Sequence, residues 1–158
     1  MLNIIIIAVG KLDTNYWSSA FQEYYKRLKN SAKITTHTIN EITTNKNIAI
    51  NLKLEASKIN FLLDKYHDYQ SFLLDLNGDL ITSEELAKII ITNQNFHQGK
   101  LLFIIGSSNG VATEIKNNPK IRKLAFGRIT LLHQLAQVIL IEQLYRAVQI
   151  INNKPYHK

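Results

Sequence analysis

The apolar residues of the chain gather in short continuous runs that are separated by stretches with helical spacing. Leu2–Val9, Ser71–Leu76 and Leu101–Ile105 are almost wholly apolar, which is typical of parallel strands covered on both faces. Lys33–Ile39 alternates and is rich in threonine, as expected for a half-exposed strand, and Ile129–Leu132 has the pattern of a short last strand. The pattern predicts a mostly parallel sheet.

Helical periodicity predicts five helices between and after these strands. In the first, aromatic residues recur at helical spacing from Trp17 to Tyr25, which indicates core packing rather than a base-stacking platform. In the third, Thr82 and Glu85 have the spacing of a capping box, and Asn93–Gly99 is expected to end the helix. The five helices are expected after a cap at Asp13 or Thr14, from Ile48 to about Tyr66, from Thr82, near Thr113–Asn118, and from Gln134 to Asn152.

The last predicted helix is unusually apolar. An ordinary surface helix has one apolar stripe and a broad polar face. Here the polar residues form only a narrow stripe, so the helix needs apolar cover on two sides, for example its own sheet and a partner subunit. Pro155 cannot continue the helix, and the polar residues that follow it are either frayed or placed to contact something. The polar stripe consists of Gln134, Gln137, Glu142, Arg146, Gln149 and Asn153.

Strands and helices alternate without an internal repeat or a linker. This predicts one α/β domain over residues 1–158, a mostly parallel sheet with helices on both faces. Ligands of such sheets lie beyond the carboxyl ends of the strands. Three segments are candidates for that edge: Asp75–Gly78, where Asn77–Asp79 indicates a turn, Gly106–Gly110, and Gly127–His133.

The amino-acid composition excludes several kinds of functional site. The 158 residues contain no cysteine, so disulfides, thiolate zinc sites and cysteine nucleophiles are excluded. The five histidines lack metal spacing, no serine elbow is present, and the Gly106–Gly110 loop matches neither dinucleotide nor P-loop motifs. Leu2–Val9 is too short to span a membrane and lacks a signal-peptide leader, which favours a soluble, cytoplasmic protein without membrane attachment.

The positive charge belongs to the C-terminal half. The net charge is +7, and residues 87–158 hold ten Lys or Arg against only Glu114 and Glu142. Lys120, Arg122 and Lys123 form a basic cluster within that half. This distribution favours a polyanionic partner, nucleic acid first, although a protein without such a partner can also be basic.

Several motifs together resemble the bacterial RlmH family, small SPOUT-class methyltransferases that modify a pseudouridine in large-subunit ribosomal RNA. The resemblance covers the whole chain, and the terminal helix followed by Pro-Tyr-His is its most specific part. The chain departs from the family at Ser107, where a glycine is usual, and at Gln137, where an arginine is usual. The matching motifs are Ala8–Lys11, Leu73–Gly78, Phe103–Gly110, Thr130–Gln134, Val138–Ala147 and Asn153–His157.

The resemblance implies a fold, a cofactor and an assembly. It implies a C-terminal trefoil knot that binds S-adenosylmethionine, and a homodimer whose active site is completed across the subunit interface. It implies no metal. The substrate would be ribosomal RNA in the large subunit or the assembled ribosome. The cofactor residues implied by the resemblance are Leu74, Gly106, Gly127, Arg128, Ile129, Thr130, Leu131 and Leu132.

Three residues near the C-terminus are the catalytic candidates. The hypothesis is methyl transfer to the ring N3 of the pseudouridine, which must first lose its proton. Tyr156 and His157 could hold this acceptor base, and His157 could take the N3 proton. Alternatively, the tail could only order the RNA. Arg146 could pair with phosphate or stabilise developing charge, or it could only contact Glu142 one turn earlier. Two other functions stay open: a ribosome-binding factor without catalysis, and a related methyltransferase that acts on a different RNA nucleotide.

Overall fold

A computed structural model describes all 158 residues. Its five strands form one sheet in which every pair is parallel, in the order β2-β1-β4-β3-β5. The strands are β1 (Leu2–Val9), β2 (Ala32–Ile39), β3 (Gln70–Leu80), β4 (Lys100–Ile105) and β5 (Ile121–Ala125). The helices are α1 (Asn15–Leu28), α2 (Ile48–Lys65), α3 (Ser83–Phe96), α4 (Thr113–Lys116) and α5 (His133–Ile151).

The apolar strands place a core on each face of the sheet. Side chains of a strand alternate between faces, so Ile4 and Ile6 join one core while Ile5 and Ile7 join the other. The first core is closed by α1, α3 and α5, and the second by α2 and α4. This confirms the predicted parallel sheet with helices on both faces. None of the helices combines the length and the apolar character needed to cross a bilayer.

The capping box of α3 is confirmed, and the helix ends within the predicted segment Asn93–Gly99. Thr82 Oγ1 accepts a hydrogen bond from the Glu85 amide, and Glu85 Oε2 accepts one from the Thr82 amide. The helix then runs through Asn93 to Phe96. Asn93 is fully buried, and its Nδ2 donates to the carbonyl of Lys100 at 3.0 Å. This tertiary contact outweighs the weak helix propensity of asparagine.

Two predictions near the edge of the sheet are wrong. Asn77–Asp79 is not a turn but part of β3, and Ile129–Leu132 is not a strand but a loop. The last strand is β5, whose pairing with β3 shifts register between Leu74 and Asp79 and leaves a bulge there. The bulge explains the turn-like sequence, because an irregular strand tolerates residues that a regular one does not.

The helix α5 matches its prediction in extent, but two of its polar residues face inward. Gln134 and Gln137 are buried, whereas a narrow polar stripe on the outside was expected. Gln134 accepts from the Thr14 amide at 3.1 Å and donates to Asp13, and Gln137 donates to the carbonyl of Gly10. Buried amides need such partners. Apolar residues of α5 therefore remain half-exposed, namely Leu135, Val138 and Ile139.

We expect Gly78→Ala to destabilise the fold. Gly78 lies in the bulge, where an added Cβ would sit 2.7 Å from the carbonyl carbon of Lys123 and 2.8 Å from the Leu124 nitrogen. The backbone of Lys123 and Leu124 in β5 can shift only at an energetic cost, so the free energy of unfolding should fall by about 1–3 kcal/mol. Denaturant unfolding measures it, with Asn77→Ala, an exposed neighbour, as the control. Equal stability of the two variants would contradict the close approach of β3 and β5.

Candidate functional site

A cavity of about 620 Å³ opens at the carboxyl ends of β3, β4 and β5. Its size is that of a pocket for a small organic ligand. All three edges predicted from the sequence contribute to it: the β3 bulge, the loop after β4, and the segment between β5 and α5. More than half of its lining residues are apolar, among them Leu73, Leu74, Ile105, Val111, Leu124 and Ile139.

Seven of the eight predicted cofactor residues line this cavity. Leu132 does not: it is exposed and directly precedes α5. The seven come from three separate parts of the chain, which the parallel sheet brings to one edge. These seven residues are Leu74, Gly106, Gly127, Arg128, Ile129, Thr130 and Leu131.

The loop after β4 is a tight turn that needs glycine at both ends. A Cβ on Gly106 would lie 2.6 Å from the carbonyl oxygen of Gly110, and Gly110 has a φ of +82°. Ser107 and Gly110 exchange two backbone hydrogen bonds, of 3.0 and 2.9 Å. The Ser107 hydroxyl donates a third bond to the Gly110 carbonyl at 3.2 Å. Serine at this position, where the resembling family usually has glycine, therefore closes the turn rather than distorting it.

The segment from Gly127 to Leu132 has backbone amides without an internal hydrogen-bond partner. None of its amide groups donates to another backbone group or to a side chain of this chain. Arg128 fixes the segment by donating to the carbonyls of Leu76 and Gly78 in the β3 bulge. Backbone donors and acceptors that have no internal partner are the groups a bound ligand can satisfy. Together with the apolar walls, they suit a heteroaromatic ring.

Few charged side chains reach the cavity. Asp75, Lys116 and Arg128 are on its lining, and the Asp75 carboxylate accepts from the Asn77 amide at 2.9 Å. The His133 ring also lines the cavity and packs so closely on Gly10 that a Cβ there would lie 2.6 Å from it. Its packing holds the start of α5 against the end of β1. It makes no side-chain capping bond to the helix.

A second polar cluster surrounds Glu142 on α5 and contains the three catalytic candidates. Arg146 binds Glu142 Oε1 through Nη2 at 2.6 Å and through Nε at 3.1 Å. The Tyr156 hydroxyl donates to the same oxygen at 3.1 Å. The contact between Arg146 and Glu142, one of the two roles open for Arg146, is therefore present, and it raises the pKa of the guanidinium.

The ring of Tyr156 is held from several sides. The Arg146 guanidinium lies 4.8 Å from its centroid, Tyr145 meets it edge-on at 4.8 Å, and its hydroxyl is 3.3 Å from that of Tyr24. Burial raises the pKa of Tyr156 well above its ordinary value, and its hydrogen bonds to Tyr24 and Glu142 act in the same direction. Tyr156 is therefore a neutral phenol at physiological pH and serves as a hydrogen-bond donor.

His157 connects the tail to α3. Its Nε2 lies 2.8 Å from Glu84 Oε1, and its Nδ1 lies 3.5 Å from Nη1 of Arg146. Hydrogen bonding to its own backbone, and then to His157, lowers the pKa of Glu84, so this carboxylate is charged at neutral pH. Sequence reasoning missed Glu84, because 73 positions separate it from His157 and no local pattern connects them.

The structure does not bring the tail cluster and the cavity together within one chain. Arg146, Tyr156 and His157 are not on the cavity lining. Arg146 follows Ile139, the last lining residue on α5, by seven positions, which corresponds to about 10 Å of helix rise. Each chain thus presents a ligand cavity near the start of α5 and an ordered polar cluster toward its end.

Comparison with known proteins identifies the family. A family model described as "Predicted SPOUT methyltransferase" matches residues 2–157. The chain belongs to the SPOUT methyltransferase family. The resemblance found in the sequence is thereby confirmed, and the cavity lies where the glycine loop and the segment before α5 of this SPOUT methyltransferase meet.

Curated relatives of this SPOUT methyltransferase match along its whole length. A protein of Mycoplasma capricolum is 41% identical over 99% of the chain and 100% of its own length. Proteins of Oenococcus oeni and Fusobacterium nucleatum are 39% and 37% identical over 100% and 99% of the chain, and each is covered completely. All three are named "Ribosomal RNA large subunit methyltransferase H".

We expect Tyr156 to ionise only far into the alkaline range. Its raised pKa predicts that the phenolate absorbance lost in Tyr156→Phe, relative to the unchanged protein, develops only above pH 10, the ordinary tyrosine value. A spectrophotometric titration of both proteins gives this difference curve. Tyr16→Phe is the control, since Tyr16 is 67% exposed. A Tyr156 difference curve with its midpoint at or below pH 10 would refute the contacts with Tyr24 and Glu142.

Proposed function

We propose that the protein transfers a methyl group from S-adenosylmethionine to N3 of a pseudouridine in 23S ribosomal RNA. One observation supports the proposal most directly. This SPOUT methyltransferase has an apolar cavity at the carboxyl ends of its strands, and backbone amides without an internal partner line its edge. The proposal includes one domain over residues 1–158 and a cytoplasmic location, where ribosomes are found. The relatives' names support ribosomal RNA as the substrate.

The cavity residues fit the cofactor. When bound, S-adenosylmethionine supplies an electrophilic methyl group on its sulfonium. Leu74, Ile105 and Leu131 offer apolar surface to an adenine ring, and the free amides after Gly127 offer it hydrogen bonds. Lys116 and Asp75 carry the charges that match a carboxylate and an ammonium group. Gly106 keeps the loop after β4 close to the cavity without a side chain in the way.

The proposed active site combines two copies of the chain. The tail cluster is not on the lining of its own cavity, so a second copy would supply Arg146, Tyr156 and His157. The half-exposed apolar residues of α5 and the exposed Ile129 and Leu132 support such a homodimer. We also propose the C-terminal trefoil knot, supported by the return of the chain from edge strand β5 to Gly10 at the end of β1.

In this arrangement the tail prepares the acceptor. N3 of a pseudouridine carries an imide proton and becomes nucleophilic only when that proton leaves. His157 would accept it at Nδ1, while Nε2 keeps its contact with Glu84, whose carboxylate would stabilise the protonated ring. Tyr156, whose hydroxyl proton goes to Glu142, would hold the base through contact with its ring, and Arg146 would favour the developing negative charge. Alignment of N3 with the transferred methyl group would come from the fixed geometry of the cluster.

Two other functions predict different results for cofactor binding and for the modified nucleotide. A ribosome-binding factor without catalysis would show no stabilisation by S-adenosylmethionine. A methyltransferase for another nucleotide would bind the cofactor and leave the proposed pseudouridine unmodified. Mass mapping of ribosomal RNA from a strain that lacks the gene, with and without the gene restored, identifies the modified nucleotide. Loss of one methyl group at a large-subunit pseudouridine is the expected result, and an unchanged map would reject the proposal.

His157→Ala should separate chemistry from cofactor binding. Binding to the folded state alone stabilises by mass action, so the melting temperature of both proteins should rise with S-adenosylmethionine concentration. Only the variant should lose methyl transfer, by roughly 10²-fold or more, as expected for removal of a general base. Lys158→Ala, which removes the neighbouring exposed side chain, is the control. Normal turnover of His157→Ala would remove this residue from the mechanism.

Neutral replacements in the basic cluster should weaken RNA binding in a salt-dependent way. Lys120→Gln, Arg122→Gln and Lys123→Gln combined should lower affinity and make the slope of log K against log salt shallower by about 1 per lost phosphate contact. The matched control removes three exposed lysines of α2 by Lys53→Gln, Lys58→Gln and Lys65→Gln. An unaltered slope in the first variant would show that the cluster does not contact RNA phosphates.

A further inference from the structure

The loop between β2 and α2, residues 40–47, is fastened to α2 by buried polar groups. Glu55 is only 2% exposed, and its Oε2 accepts from the amide of Ile42 at 2.8 Å. Asn51, also buried, accepts from the Asn45 amide at 3.0 Å and donates to the Asn45 carbonyl at 2.8 Å. A buried carboxylate is costly, and the other oxygen of Glu55 has no partner. The loop is therefore held in one place at some cost to stability.

The same loop reaches the cofactor cavity. The Ser108 hydroxyl donates to Glu41 Oε1 at 2.5 Å. Glu41 is half-buried and directly precedes Ile42, the residue fastened by Glu55. Ser108 lies in the turn after β4 and lines the cavity. Two hydrogen bonds at adjacent residues, one at Ile42 and one at Glu41, therefore connect α2 to the mouth of the cavity.

We propose that Glu41 is a positioning residue, which fastens Ser108 and so holds the Gly106–Gly110 turn in its cofactor-binding conformation. The residues between the two ends of the turn, Ser108 and Asn109, are exposed, and inside the turn only the Ser107–Gly110 contacts restrain them. Glu41 is the contact that restrains Ser108 from outside. This inference rests on the proposed use of the cavity for S-adenosylmethionine.

Loss of the Glu41 contact should weaken the binding of S-adenosylmethionine. A turn that loses its outer anchor occupies other conformations, and the apparent dissociation constant rises in inverse proportion to the competent fraction. One hydrogen bond of this kind corresponds to roughly a three- to ten-fold change. Glu41 does not touch the reacting atoms, so the rate at saturating cofactor should stay unchanged. A split between KM and kcat thus distinguishes positioning from catalysis.

Isothermal titration with S-adenosylmethionine tests the affinity. Glu41→Ala and Ser108→Ala should each weaken binding to this extent, and the double variant should be no weaker than either, since both remove the same contact. Glu41→Gln should bind almost normally, because an amide oxygen also accepts from the Ser108 hydroxyl. Asp68→Ala is the matched control: it removes a carboxylate that binds Lys100 at 2.5 Å near the opposite ends of the strands.

Hydrogen exchange without cofactor tests the turn itself. The amides of Ser107 and Gly110 should exchange faster in Glu41→Ala than in the unchanged protein or in Asp68→Ala. Unchanged exchange, or equal affinity of Glu41→Ala and the unchanged protein, would overturn the inference. Equal weakening by Asp68→Ala would overturn it as well. If the unchanged protein fails to bind S-adenosylmethionine, the proposed function fails, and exchange alone then decides whether Glu41 holds the turn.

Discussion

The structure depends on how the chain crosses the carboxyl edge of its sheet after the last strand. The segment that follows edge strand β5 passes the β3 bulge and ends at Gly10, beyond β1. Arg128 holds one end on two carbonyls of the β3 bulge, and Gln137 with the His133 ring holds the other. A segment that crosses strands cannot pair with them, so its amides stay free. The cavity exists because this crossing lies above the ends of β3 and β4.

The same crossing sets the character of α5. Two glutamines turn inward to satisfy the backbone and side chains at the end of β1, and this orientation leaves apolar residues of the helix only half covered. Farther along the helix, Glu142 gathers Arg146 and Tyr156, and His157 reaches Glu84. One helix thus presents a ligand site near its start, an incompletely covered apolar surface, and an ordered polar tail toward its end. A second copy is the partner that would use all three.

Much of this was predictable from short-range pattern. The continuous apolar strands, the capping box at Thr82 and the extent of α5 follow from local periodicity, and the three cavity edges follow from strand ends in a parallel sheet. Strand β5 was missed because Arg122 and Lys123 read as a surface cluster, although Ile121 and Leu124 pack inside. The inward orientation of Gln134 and Gln137 depends on tertiary hydrogen bonds. Such contacts join residues far apart in sequence, as Gln137 and Gly10 are, and periodicity cannot report them.

Complementation between two inactive variants tests most directly whether the tail of one copy serves the cavity of another. Gly106→Ala should spoil its own cavity and keep a normal tail, and His157→Ala the reverse. In mixed dimers of the two, one cavity and one tail remain intact, and the two-fold arrangement brings them together. Co-expression should therefore restore methyl transfer to about a quarter of normal, since half the dimers would be mixed and each would hold one working site. Activity no higher than that of either variant alone would contradict the account.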